Sequence, residues 1–133
     1  AVTETPDDLA STAVLATILS SQGQPQDAIP LFERLVQADP DDGQTRFAFG
    51  LALFRAGNPF DAEIQLKRAH ELLVDRPDPA YYLGLLNEER EPPDLVAARD
   101  WYETSIALAP ESLTADQARL RIADLDGDAN SVV

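Results

Sequence analysis

Cysteine is absent from this sequence, and with it go a disulfide framework, a thiolate metal site and a cysteine nucleophile. The missing thiols leave the compartment open between cytoplasm and an exported or periplasmic location. A single histidine, His70, excludes a multi-histidine metal centre. Basic charge is scarce: 10 Lys and Arg, with Lys67 the sole lysine, stand against 24 Asp and Glu, for a net charge of -14. Such a surface repels polyanions, because phosphate binding needs clustered Lys and Arg to displace counterions, so nucleic acid and anionic membranes are not expected partners. Many aspartates with few lysines fit a salt-adapted source and a GC-rich genome equally. Long apolar runs are missing too. Nothing approaches the roughly 18 apolar residues that would suggest a transmembrane helix, and the most apolar stretch, Leu9 to Leu19, is broken by Ser11, Thr12 and Thr17 and lacks the basic flank of a signal peptide. A soluble chain without membrane insertion is expected. It starts at Ala1 without Met, as a processed chain, one that lost its initiator or an excised domain would. No nucleophile with a base, distinct carboxylate pair or phosphate loop is visible, so neither an enzyme, a cofactor nor a metal is expected.

What is present is a period. Ala28 and Ala62 lie 34 residues apart, as do Phe32 and Leu66, and Leu35 and Ala69. Ala16, Gly50 and Gly84 keep the same spacing, each preceded by a bulky residue: Leu15, Phe49 and Leu83. A fixed period of this length is the mark of stacked repeats. The small residue has a steric purpose. Where two antiparallel helices of a hairpin cross, it lets the backbones approach, and the large neighbour fills the remaining space.

These positions resemble the tetratricopeptide repeat (TPR) family. The first copy reads Leu15-Ala16, Leu19, Ala28, Phe32 and Pro40; the second Phe49-Gly50, Leu53, Ala62 and Leu66; the third Leu83-Gly84, Ala98, Tyr102 and Pro110. The third departs from the pattern. Asn87 stands where an aromatic or Leu is usual, and Ala62 to Ala98 spans 36 residues, which lengthens the turn near Glu91-Pro92-Pro93. The resemblance implies an all-α fold, a right-handed α-α superhelix of three hairpins closed by a terminal solvating helix, seven helices in one domain over residues 1–133. Repeats are expected at about 7–40, 41–76 and 77–110, a capping helix at about 113–125, and a loose tail at 126–133.

Local signals agree. Thr5-Pro6-Asp7-Asp8 reads as a helix start, Gln22-Gly23-Gln24 as a turn, Gly57-Asn58-Pro59 as a C-terminal cap followed by a new start, and Asp78-Pro79 as another start. Thr114 and Gln117 have capping-box spacing. Asp124-x-Asp126-Gly127-Asp128-x-Asn130 alternates oxygen ligands, but its glycine is misplaced and no bidentate Glu follows, so a solvated tail is expected rather than a calcium loop.

In the family, the first helix of each hairpin lines a concave groove. Carried over by register, that implies partner-binding candidates Thr17, Gln44, Phe47, Leu51, Phe54 and Arg55 in the first two repeats and Tyr81, Leu85 and Glu88 in the third. Ala13, Ser20 and Ser21 flank Thr17, while Gln117 and Arg121 extend the row. Phe47, Leu51, Tyr81 and Leu85 are not needed at the family's packing positions, so they either meet a partner or pack between repeats. A subclass of the family grips chaperone tails through a Lys, Asn and Arg carboxylate clamp; here Arg55 is the only well-placed cation, which argues against that role. The implied function is a non-catalytic adaptor or scaffold that holds a peptide or helix of apolar and basic character, steered by the acidic surface. The alternative is a self-associating module that forms a homo-oligomer through the groove or the open N-terminal face.

Overall fold

The computed structural model describes residues 5–130, which form seven helices and no strand: α1 (Pro6–Ser21), α2 (Pro25–Ala38), α3 (Gly43–Arg55), α4 (Pro59–Leu72), α5 (Asp78–Glu89), α6 (Leu95–Leu108) and α7 (Leu113–Asn130). The contacts group into two compact units, residues 1–72 and 73–133.

The first unit holds α1 to α4. Thr5 caps α1 through its side chain, which accepts from the Asp8 N–H while Asp8 answers to the Thr5 N–H, a reciprocal box that satisfies two orphan donors. Gly23 (φ +80°) and Gly57 (φ +84°) end α1 and α3 in the left-handed conformation. The N–H groups of Gln24 and Asn58 then reach back to the carbonyls of Leu19 and Leu53, so both hairpins turn the same way. Asp42 caps α3, accepting from Gln44 and Thr45. The core is the expected repeat set: Ala16, Ala28, Phe32, Leu35, Phe49, Leu53, Ala62, Leu66 and Ala69 are all buried. Phe32 and Phe49 stack at 6.0 Å. A Cβ on Gly50 would lie 2.7 Å from Leu66 Cγ, which is the close crossing that the small-residue period predicts.

Leu15 departs from the expectation. Its register mates Phe49 and Leu83 are buried, yet Leu15 is 49% exposed. Phe49 is covered by Phe32 of the preceding helix, and among the described residues no helix precedes α1.

The second unit holds α5 to α7. Its third-repeat turn contains a cis Glu91-Pro92 bond and is closed by the Asp94 N–H donating to the Asn87 carbonyl. Asn87, the departure from the family pattern, is buried, and its side-chain amide donates to the Leu83 carbonyl at 2.8 Å, so its polarity is satisfied within its own helix. Asp94 caps α6 by accepting from Ala97. Tyr102 is fully buried against Gly84, where an added Cβ would lie 2.5 Å from the ring.

Two expectations for the C-terminal region are corrected. Ser112, not Thr114, caps α7 by accepting from the Ala115 N–H; the Thr114 hydroxyl instead donates to Asp78. The helix also runs to Asn130, so the loose tail expected from 126 is helical as far as 130, and residues 131–133 lie outside the described residues. Residues 124–130 therefore form helix rather than a ligand loop. Arg99 anchors the end of α7 by donating to the Asp126 carboxylate.

Candidate functional site

In the first unit the facing sides of α1 and α3 enclose a groove of about 380 Å³, within the size range of ligand sites. One wall is Ala13, Thr17, Ser20 and Ser21, spaced at i, i+4, i+7 and i+8 along one side of α1. The other is Gln44, Phe47, Leu51 and Arg55, at i, i+3, i+7 and i+11 along α3, and Phe32 and Leu35 of α2 also line the space. Five of the nine sequence-derived candidates thus meet around one space: Thr17, Gln44, Phe47, Leu51 and Arg55.

The chemistry of the walls is mostly apolar, because the hydroxyls are already engaged. Thr17 donates to the Ala13 carbonyl at 2.9 Å and Ser21 to the Ile18 carbonyl at 3.1 Å. Ser20 accepts from the Arg55 guanidinium at 3.0 Å, which bridges the two walls and places one cation at that end of the groove. What remains for a ligand is aromatic and aliphatic surface, with hydroxyl oxygens as acceptors, the Gln44 amide as donor and acceptor, and the remaining guanidinium N–H groups of Arg55 as donors. Phe54 is half-buried on α3 and does not line this space.

The third-repeat candidates have different surroundings. Tyr81 and Leu85 pack, partly buried, on the cluster of Ala98, Tyr102 and Ala118, together with Ile106, Ile122 and Leu125. Tyr81 lies 5.7 Å from the Tyr102 ring. Glu88 accepts from the Tyr102 hydroxyl at 3.0 Å and from Arg121 Nε and Nη2 at 3.1 and 2.7 Å, with only 12% of its side chain exposed. Burial first, and the neighbouring Glu88 charge second, push the Tyr102 phenol well above its ordinary range; burial pushes Tyr81 in the same direction. The hydrogen bond to Glu88 raises Arg121 further. Arg121 was expected to extend the groove row, but it ties α7 to α5. Tyr81, Leu85 and Glu88 are therefore joined to the packing of the second unit, the bland alternative that the sequence left open for the two apolar residues. The missed signal was Arg121: a cation on a terminal helix is a natural partner for a half-buried carboxylate.

A family profile described as Tetratricopeptide repeat matches residues 3–87. The chain belongs to the tetratricopeptide repeat family. No curated protein matches it in sequence. Among solved structures it is similar to MamA (26% identity, TM-score 0.75, covering 85% of this chain and 65% of that one). It is also similar to YrrB, described as a TPR protein with an unusual peptide-binding site (26% identity, TM-score 0.75, 88% and 58%). The first TPR domain of Spaghetti (RPAP3), bound to the HSP90 peptide SRMEEVD, shares the fold at 18% identity (TM-score 0.77, 96% and 99%). The chain spans less than two thirds of the MamA and YrrB structures. The all-α TPR fold expected from the repeat register is the fold found, and it marks the chain as a protein-interaction module of a generally non-catalytic family. Among the described residues, no helix is long and apolar enough to cross a membrane.

Proposed function

We propose that this chain is a non-catalytic adaptor that holds a peptide or short helix in the groove between α1 and α3. The observation that carries the reading is the groove itself: an aromatic and aliphatic wall from α3 faces small residues of α1 across an open space. Peptide binding by TPR neighbours such as YrrB and the Spaghetti domain supports it. An apolar segment would occupy the Phe47–Leu51 wall, and basic flanks would be drawn by the net charge of -14. Arg55 would donate to a ligand carbonyl at the Ser20 end. The Tyr81, Leu85 and Glu88 side of the expected site is left as support for the second unit.

The test fills the groove instead of dismantling it. Thr17 is exposed on α1, so Thr17→Leu adds bulk to the wall without opening a core cavity. Binding of a fluorescent amphipathic Leu/Lys helix is expected to weaken about tenfold or more, a loss of at least roughly 1.4 kcal/mol, with the thermal unfolding unchanged. Binding should also fall as salt rises, since screening removes the steering. Equal affinity of Thr17→Leu and the unsubstituted chain would reject the groove as the site.

A further inference from the structure

The other side of α1 carries a second surface. Residues 9–26 contain no charged side chain, in a chain of net charge -14. Within that span Val14, Leu15 and Ile18 are 60%, 49% and 43% exposed, and with Ala10 and Ser11 they line one shallow recess. None of these five lines the α1–α3 groove. Other exposed apolar residues are interrupted by charge: Phe60 and Ile64 on α4 sit among Asp61, Glu63 and Lys67, and Leu113 and Leu120 on α7 flank Asp116 and Arg119. The face is also one that the repeat expects to be covered. The residues 34 positions on from Leu15 and Ile18 are Phe49 and Ala52 of α3, both buried, and Phe49 lies under Phe32 of α2.

We infer that a second copy of this chain covers that face, α1 against α1 of the partner in antiparallel order about a two-fold axis at Val14, giving a homodimer. Three physical arguments select this occupant. Like-charged copies can approach without local repulsion on an uncharged face, and residues 9–26 supply one. The antiparallel order sets Asp8 of one copy near the uncharged Ser20–Gln22 end of the other, at the negative end of that helix's dipole but away from the other Asp8, whereas a parallel order would oppose the two carboxylates directly. The face is also self-complementary: four residues either side of Val14 stand Ala10 and Ile18, so each small residue receives the other copy's large one. A single helix face is at the low end of specific interfaces. The dimer is therefore weak, in the micromolar range, and strengthens with salt as the charge on each copy is screened.

The absence of cysteine makes the test clean. Val14→Cys places the sole thiol on the axis, opposite itself, within the reach a disulfide needs; Gln37→Cys, exposed on α2, is the control. Mild oxidation is expected to link Val14→Cys into dimers far faster than Gln37→Cys. Light scattering across a concentration series should show a mass that rises to two copies and stops. Val14→Asp should weaken the association about tenfold or more, with thermal unfolding and Leu/Lys-peptide binding unchanged, which separates this face from the groove. Equal linking of the two cysteine variants, a monomer at every concentration, or a mass that grows beyond two by head-to-tail stacking would each overturn the proposal.

Discussion

Replacing Gly84 by alanine sets two known effects against each other. In a helix interior Gly→Ala gains about 1 kcal/mol from propensity alone. Against that, the new Cβ would lie 2.5 Å from Tyr102 Cε1, 2.6 Å from Cδ1 and 2.9 Å from Cζ. Ordinary carbon contacts begin near about 3.5 Å, so the ring or the α5–α6 spacing must yield by about 1 Å. The ring has nowhere to go. It is fully buried, its hydroxyl is tied to Glu88 at 3.0 Å, and Tyr81 lies beside it. Overpacking of a well-filled core costs about 1–3 kcal/mol, and three ring atoms in conflict place this case at the upper end, for a net loss of about 2 kcal/mol. Trp101, the sole tryptophan, sits on α6 beside Tyr102 and reports on the second unit. Urea unfolding followed by its fluorescence should show a lower midpoint at unchanged slope. Tyr102→Leu in the same chain should make the two substitutions non-additive by about 1 kcal/mol or more, the pair costing less than the sum. The reasoning fails if Gly84→Ala is as stable as the unsubstituted chain or more so, since propensity would then outweigh the contact. Ala16, fully buried at the same register in the first repeat, shows that a methyl is tolerated there when the surroundings allow it.

Other outcomes follow from the same contacts. Gly57→Ala meets no atom within 4 Å, so its cost is the left-handed backbone alone, about 1–2 kcal/mol, readable as a lower melting temperature, with Gly57→Asn costing less. Arg121→Ala leaves the half-buried Glu88 without its cation; hydrogen bonds to charged groups contribute about 1.5–3 kcal/mol, and the exposure of Arg121 places the loss near or below the lower figure, again followed by Trp101. The phenol of Tyr102 is raised in the folded chain, so the unfolded chain gives up that proton first. Its stabilisation is complete below the ordinary tyrosine value of about 10 and declines as pH rises beyond it, and Tyr102→Phe should flatten the alkaline limb of a pH series of unfolding midpoints, leaving the part due to Tyr81. At the acid end, Arg99 holds the exposed Asp126 carboxyl below its ordinary range. The tie at the end of α7 persists above that range and is lost as pH falls through the depressed value, which helical circular dichroism should register as fraying absent in Arg99→Ala.

The 34-residue period was enough to place the helices, the buried small residues and, Leu15 apart, their large partners, because those contacts join neighbouring helices whose spacing the period states directly. Capping was less legible. Ser112 and Thr114 are both suited to capping by type; Ser112 takes the Ala115 N–H, while the Thr114 hydroxyl is drawn away to Asp78, 36 residues earlier in the chain. The candidate site shows the same limit more sharply. By register Ala13, Phe47 and Tyr81 are one position, Thr17, Leu51 and Leu85 another, and Ser20, Phe54 and Glu88 a third. In the first unit α1 contributes the small members, and the space left before α3 is the groove. In the second unit α5 contributes the large members, and Tyr81 and Leu85 fill the corresponding space before α7, while Glu88 meets Arg121 there as Ser20 meets Arg55. Register alone says that all nine positions face the same way. Whether a position is binding surface or packing depends on the volume that the facing helix leaves, a pairwise property of residues about 34 apart, and it is the small residues of α1, unremarkable in themselves, that keep Phe47 and Leu51 at the wall of an open groove.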